Sequence, residues 1–345
     1  MSPTIFMIIM SSLATGTIIT MSSYHWLMAW IGLEMNTMAI IPIISSTHNP
    51  RSTEATTKYF LTQATASATI LFSSMTNAWT TGTWDITNLS STPSSIMLTV
   101  ALAMKLGLAP THFWLPEVLQ GSTLPTALII TTWQKLAPMT LIYLTINNLS
   151  TPLLILMGLL SSMIGGWGGL NQTQTRKIMA YSSIAHLGWM ITISSLMMNI
   201  MITNLLIYIM STTALFCLLI TTKLKTIQDT ATTWTLSPTL TLTMMMLLLS
   251  LGGLPPLTGF LPKWLILEEL VTQNLIPTAL IMMMSSLLSL FFYLRISYTT
   301  TLTLSPNTTQ TKFKWRFKLN PPTYLATTTA TASIFLLPMT PLILL

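Results

Sequence analysis

The chain alternates long apolar runs with short polar connections. About 20 apolar residues cross a hydrocarbon core, and that ruler predicts about eleven spans, at roughly 3–22, 25–45, 59–79, 95–120, 123–144, 152–170, 178–198, 200–222, 239–271, 275–298 and 323–343. The fourth and ninth are too long for one crossing and carry prolines in their middles. None of the connections leaves room for a soluble domain. Backbone groups cannot stay unpaired in lipid, so the expected fold is an all-α polytopic membrane protein, a single integral membrane domain over 1–345.

A repeat runs beneath this pattern. LGLAPTHFWLPEVL (106–119) and LGGLPPLTGFLPKWLIL (251–267) share Leu-Gly, a proline-bearing break and a later Leu-Pro. They predict a first half, 1–144, with a broken helix near 105–112, and a second half, 152–298, with a broken helix near 252–263. A last transmembrane helix follows at 323–343. Broken helices in corresponding places of two antiparallel halves are the sequence sign of an inverted-repeat transporter.

Orientation follows from Lys and Arg in the loops. Arg51 and Lys58 follow the second span, Arg176 and Lys177 the sixth, Lys223 and Lys225 the eighth, and KFKWRFK (312–318) the tenth. Every cluster follows an even-numbered span, so all share one side. The N-terminus then lies on that basic side and the C-terminus opposite. KFKWRFK reads as a topology signal with lipid contact rather than a nucleic-acid footprint.

Composition narrows the classes further. The chain is 51% hydrophobic and 6% charged, against about a quarter charged in soluble domains, which excludes a soluble enzyme or nucleic-acid-binding protein. Its mean hydropathy is +0.67. The net charge of +7 resides mostly in the loop clusters and signals no acidic partner. A single cysteine, Cys217, excludes an internal disulfide framework and a multi-cysteine metal site. GGWGG (165–169) lacks the strand and the Lys-Ser/Thr of a phosphate loop and reads as close helix packing. Asn148-Leu-Ser and Asn307-Thr-Thr match glycosylation acceptors by chance in so Thr-rich a chain. No flavin, haem, iron–sulfur or dinucleotide signature is present, so the chain is expected to carry no electrons.

Charges inside the spans are the strongest chemical signal. Glu34, Lys105, Lys135 and Lys263 fall near span centres, and His112 and His186 join them. At about 2.5–3.5 kcal/mol each, four such charges cost on the order of 10 kcal/mol, comparable to a whole protein's stability. Lys105 and Lys135 lie about 15 Å from either end of their spans, beyond the reach of snorkelling. Arg295, at the basic-side end of its span, can snorkel. Desolvation readies a buried ammonium to lose a proton and a buried carboxyl to keep one, and an approaching opposite charge reverses both. A Glu–Lys pair that forms and breaks is therefore a proton switch. The helix breaks supply free backbone groups for water at the same depth. The histidines are secondary relay candidates, since a mid-bundle imidazole serves equally as a neutral hydrogen-bond donor. Neither has a second ligand at zinc spacing.

WIGLEMN (30–36), KLGLAPTHFWLPEVLQG (105–121), WQKLAP (133–138), TQTRKIMAYSSIAHLGW (173–189) and GGLPPLTGFLPKW (252–264) together resemble the antiporter-like subunits of respiratory NADH:ubiquinone oxidoreductase, complex I. The blocks occur in order and span most of the chain. The resemblance implies an antiporter-like fold and a proton-translocating module of the membrane arm with no redox centre of its own. NADH, FMN, iron–sulfur clusters and ubiquinone would belong to the rest of the complex. By motif, Glu34 and Lys105 are the switch pair, Lys135 the central relay, and Lys263 the terminal exit residue. Expected partners are other membrane-arm subunits (a neighbouring antiporter-like subunit and a small multi-helix one), accessory subunits, and phospholipids including cardiolipin. Nucleic acid is not among them. The resemblance also implies that spans found at the start of bacterial relatives are missing, leaving a flank for neighbours or lipid to cover. The abundance of Met and Thr resembles products of animal mitochondrial genomes, which implies the inner mitochondrial membrane with the N-terminus in the matrix. A stand-alone cation/proton antiporter and a structural spacer of the arm are the competing readings.

Overall fold

A computed structural model of the chain describes residues 2–302 and 324–339. In order, its helices are α1 (Pro3–Ser22), α2 (Trp26–Ile44), α3 (Pro50–Thr81), α4 (Thr92–Leu106), α5 (Trp114–Gly121), α6 (Leu124–Thr131), α7 (Trp133–Thr145) and α8 (Thr151–Gly169). Then come α9 (Thr175–Ser194), α10 (Met198–Thr222), α11 (Ile227–Thr230), α12 (Thr233–Leu236), α13 (Pro238–Gly252), α14 (Phe260–Thr272), α15 (Ile276–Leu302) and α16 (Tyr324–Phe335). Extended pairing among the described residues is confined to the isolated bridges His25–Asp85 and Gln174–Thr226. KFKWRFK and Asn307 lie outside the described residues, as does the end of the span expected at 323–343.

Of the described helices, α1, α2, α8, α10 and α15 are each long and apolar enough to cross a membrane. The fourth and ninth expected spans are the broken pairs α4/α5 and α13/α14. Two expectations shift. The third span is a longer helix than its apolar stretch, because Pro50 suits a first helical position and the Asn49 N–H bonds Ser52 Oγ at 3.2 Å. Arg51 and Lys58 therefore stand on its first turns rather than in a loop. The fifth span is interrupted at Thr132. Pro138 removes the N–H that the Gln134 carbonyl needs, and the Thr131 and Thr132 hydroxyls bond back to the Ala127 and Leu128 carbonyls.

The chain forms two compact units, one of Met1–Ser162 with Leu187–Met198, the other of Met163–His186 with Asn199–Leu345. In the first, α1 packs on α2 at Gly16 and Gly32, where a Cβ on Gly32 would stand 2.8 Å from the Gly16 carbonyl. Helix α3 packs on α2, α4 and α5, and α7 on α1 and α4. In the second, α13 packs on α14, α15 and α16. The GGWGG glycines pack closely there, Gly165 against Ala185, Gly168 against Tyr181 and Gly169 against Phe292. Arg295 does not snorkel: its guanidinium donates to the Leu170 and Gln172 carbonyls just past α8, where a cation also suits the helix dipole.

Candidate functional site

Among the described residues each unit contains one helix break of the same construction. After α4, Gly107 takes the left-handed conformation (φ 76°), and the Leu108 N–H reaches back to the Ala103 carbonyl at 3.0 Å. After α13, Gly253 does the same (φ 79°), with Leu254 bonded to the Leu249 carbonyl at 3.3 Å. Both are glycine C-caps, followed by cis peptides at Ala109–Pro110 and Pro255–Pro256. The consequence lies four residues upstream of Pro110 and of Pro256. Pro110 and Pro256 have no N–H to give, so the Leu106 and Gly252 carbonyls lose their helical partners.

A lysine takes each orphaned carbonyl. Lys135 Nζ donates to the Leu106 oxygen at 2.5 Å, and Lys263 Nζ to the Gly252 oxygen at 2.7 Å. The lysines arrive differently. Lys263 comes from α14, the second half of its own broken helix, whereas Lys135 comes from α7, itself freed from a regular ladder by the interruption at Thr132. Glu117 of α5 holds the position in the first break that Lys263 holds in the second, counting from Gly107 and Gly253. It pairs at 2.6 Å with Lys58 of α3, which also meets Glu54 at 2.5 Å. Expected only as an orientation charge, Lys58 thus ties α3 to α5.

Lys135 is 2% exposed, with Nζ 5.6 Å from the centre of the Trp114 ring. Trp114 donates its indole N–H to the Met104 carbonyl at 3.2 Å and meets Tyr59 edge-on at 5.8 Å. Lys105, in the last turn of α4, is 5% exposed, and its Nζ has no hydrogen-bond partner among the described residues. It lies within the field of Glu34, whose Oε2 accepts from Thr37 Oγ1 at 3.1 Å. Among the described residues no ion pair within 4.0 Å joins Glu34 and Lys105; both such pairs belong to Lys58. The switch pair is thus apart in this structure.

Lys105 and Lys135 line one small cavity of about 10 Å³, together with Asn36, Thr37, Gln63 and Gln134. Of the sequence candidates, the first unit therefore gathers Glu34, Lys105 and Lys135. His112 lies buried in the loop of the first break, its ring 4.2 Å from Phe113, and does not line the cavity. The second unit holds Lys263 and His186. His186 is half-buried, lies 5.6 Å from the Tyr208 ring and feels the Lys263 charge.

Sequence reasoning passed over the amides and Trp114. Asn36 lies two residues after Glu34, Gln134 one before Lys135, and Gln63 inside an apolar stretch. A buried amide in a span demands a partner much as a charge does, and that signal was present.

A family model described as NADH:quinone oxidoreductase/Mrp antiporter, transmembrane, matches residues 23–289, and one described as NADH dehydrogenase subunit 2 C-terminus matches 290–344. The NADH-ubiquinone oxidoreductase chain 2 of Varanus timorensis is 58% identical over all of both chains. That of Carassius auratus is 55% identical over 100% of this chain and 99% of its own. Among solved structures, a chain of respiratory complex I from Thermus thermophilus with bound aureothin superposes with a TM-score of 0.83 at 24% identity, covering 99% of this chain and 79% of its own. A chain of the Mrp complex from Dietzia sp. DQ12-45-1b gives 0.83 at 16%, covering 96% and 74%. At these identities the structural likeness shows the fold, and it is antiporter-like.

Proposed function

Because the chain belongs to the NADH:quinone oxidoreductase/Mrp antiporter family, in its NADH-ubiquinone oxidoreductase chain 2 branch, we propose that it moves protons through Glu34, Lys105, Lys135 and Lys263 as a membrane-arm subunit of complex I. The observation that carries this reading is the convergence of Lys105 and Lys135 on one buried polar cavity within reach of the Glu34 field. An unpaired buried ammonium is ready to release its proton, and a carboxylate nearby reverses that readiness. Changing the Glu34–Lys105 separation therefore loads or unloads Lys105, and Lys135 is the next acceptor. In the second unit Lys263 is the corresponding station, with His186 beside it in electrostatic reach and His112 a further secondary candidate.

The chain contributes proton chemistry, while NADH oxidation and ubiquinone reduction, with their FMN and iron–sulfur groups, take place in other subunits. It is thus a non-redox part of an H+-translocating oxidoreductase. Its place is the inner mitochondrial membrane, with the basic loops and N-terminus on the matrix side, against neighbouring membrane-arm subunits, accessory subunits and phospholipids.

Lys105→Met in the assembled complex, reconstituted in liposomes, tests the assignment. The complex is expected to assemble as an NADH-oxidising band on a native gel, with fewer protons translocated per NADH. Parental stoichiometry in a fully assembled Lys105→Met complex overturns the relay and favours a structural spacer.

A further inference from the structure

The cavity between Lys105 and Lys135 is built for a ligand that the two lysines do not explain. Three helices each send a buried side-chain amide to it: Asn36 from α2 (2% exposed), Gln63 from α3 (4%) and Gln134 from α7. Asn36 Nδ2 and Oδ1, Gln63 Nε2 and Gln134 Nε2 have no hydrogen-bond partner among the described residues, and neither has Lys105 Nζ beside them. A buried polar group left unmet costs about 1–3 kcal/mol, so a cluster of them around one space calls for a shared partner. The room is about 10 Å³, about the volume one water centre needs. The chemistry selects water over an ion. A lysine ammonium and amide N–H donors repel a cation. An acceptor, Asn36 Oδ1, requires a ligand that also donates. Packing reserves the place of this amide, since a Cβ on Gly16 of α1 would stand 2.6 Å from Asn36 Oδ1.

We infer that Asn36, Gln63 and Gln134 form a water-binding station that bridges Lys105 to Lys135. This rests on the proton-relay reading above and adds positioning residues to it. The water accepts from the Lys105 ammonium and donates onward. As the Lys105 N–H bond breaks and an O–H bond forms, another O–H proton passes to the lone pair of a neutral Lys135 amine. Lys105 ends neutral, Lys135 ends as the ammonium, and the water is regenerated.

The test uses the assembled complex in proteoliposomes, with protons translocated per NADH oxidised as the readout. Gln63→Met removes an amide at similar volume. Ala137→Val fills the cavity from its wall while leaving every polar group in place, Ala137 being 1% exposed and part of the lining. Both are expected to lose translocation per NADH, Gln63→Asn is expected to regain part of it, and Ala137→Val is expected to abolish the infrared O–H stretch of one ordered water. Parental ratios in Gln63→Met and Ala137→Val, with a loss in Lys105→Met, would overturn the station and leave the relay standing. Parental ratios in all three would bring down the relay itself. Should Gln63→Met fail to assemble, Ala137→Val and its infrared band decide the matter.

Discussion

Lys105 and Lys135 flank the same helix break, yet only one is fastened. Lys135 holds the Leu106 carbonyl and lies against Trp114, whereas Lys105 has no hydrogen-bond partner among the described residues and answers to Glu34. Lys135→Arg separates charge from proton exchange. A guanidinium keeps the cation beside the indole and still donates to the carbonyl, but it does not give up its proton. An assembled Lys135→Arg complex should therefore translocate fewer protons per NADH, and parental pumping would remove Lys135 from the relay. Lys135→Met instead leaves the Leu106 carbonyl unpaired, at about 1–3 kcal/mol, and should lower the thermal inactivation temperature as well.

Asp229 makes a contrasting case outside the spans. Its carboxylate accepts from the Thr226 N–H at 2.8 Å and the Lys225 N–H at 3.1 Å, and these bonds, Thr226 first, hold it below the usual carboxyl range. A lowered folded-state pKa gives stability that is present above the unfolded value, near 4, and lost as pH falls through the folded one. Asp229→Ala should free the Thr226 and Lys225 amides to exchange faster at pH 7, by about 1 kcal/mol of local stability, with the difference shrinking in acid. Equal exchange at pH 7 would dismiss the cap.

At the scale of the element, the left-handed glycines separate conformation from contact. A non-glycine residue in that conformation costs about 1–2 kcal/mol. Gly82→Ala should show little beyond this, because no described residue lies within 4 Å of the added methyl. Gly107→Ala adds crowding against Leu115 at 3.1 Å. Gly253→Ala is the telling one: its methyl would fall 2.9 Å from Lys263 Nζ and dislodge the ammonium from the Gly252 carbonyl. Proton translocation per NADH should fall in Gly253→Ala and hold in Gly82→Ala at matched assembly. Indifference of both would argue that the second break needs no docked lysine.

The same elements show what the sequence could tell. Glycine and proline at the two breaks declare themselves, because a left-handed cap and a missing N–H are local properties of those residues. The interruption in the fifth span was less legible. A lone Pro138 permits a kinked but continuous helix, and only the back-bonded threonines and the packing of α7 on α4 end the ladder at Thr132. The mid-membrane charges were readable from their cost. Their partners were not, since the carbonyl that Lys135 meets and the amides around Lys105 come from helices brought together by tertiary packing. Glu34 and Lys105 were expected as a pair, and their separation here is a matter of side-chain placement that no spacing encodes.

For the molecule as a whole, the question is what drives the relay. In the proposed relay the switch does work only if something outside it changes the field at Glu34 or Lys105, because proton transfer between Lys105 and Lys135 alone is reversible. The sequence carries no motif for a dinucleotide, flavin, haem or iron–sulfur cluster. On the proposed function the redox source sits on another polypeptide of the assembly, and separation from it would leave a proton path without a drive. That dependence predicts where the chain is found. On a native gel of source membranes in mild detergent, it should migrate only with the large band that stains for NADH oxidation. After that band is broken by harsher detergent, the released chain in liposomes should show no cation/proton exchange. A small free species with exchange activity of its own would place the driving force in an ion gradient, and Lys105, Lys135 and Lys263 would then serve a stand-alone antiporter.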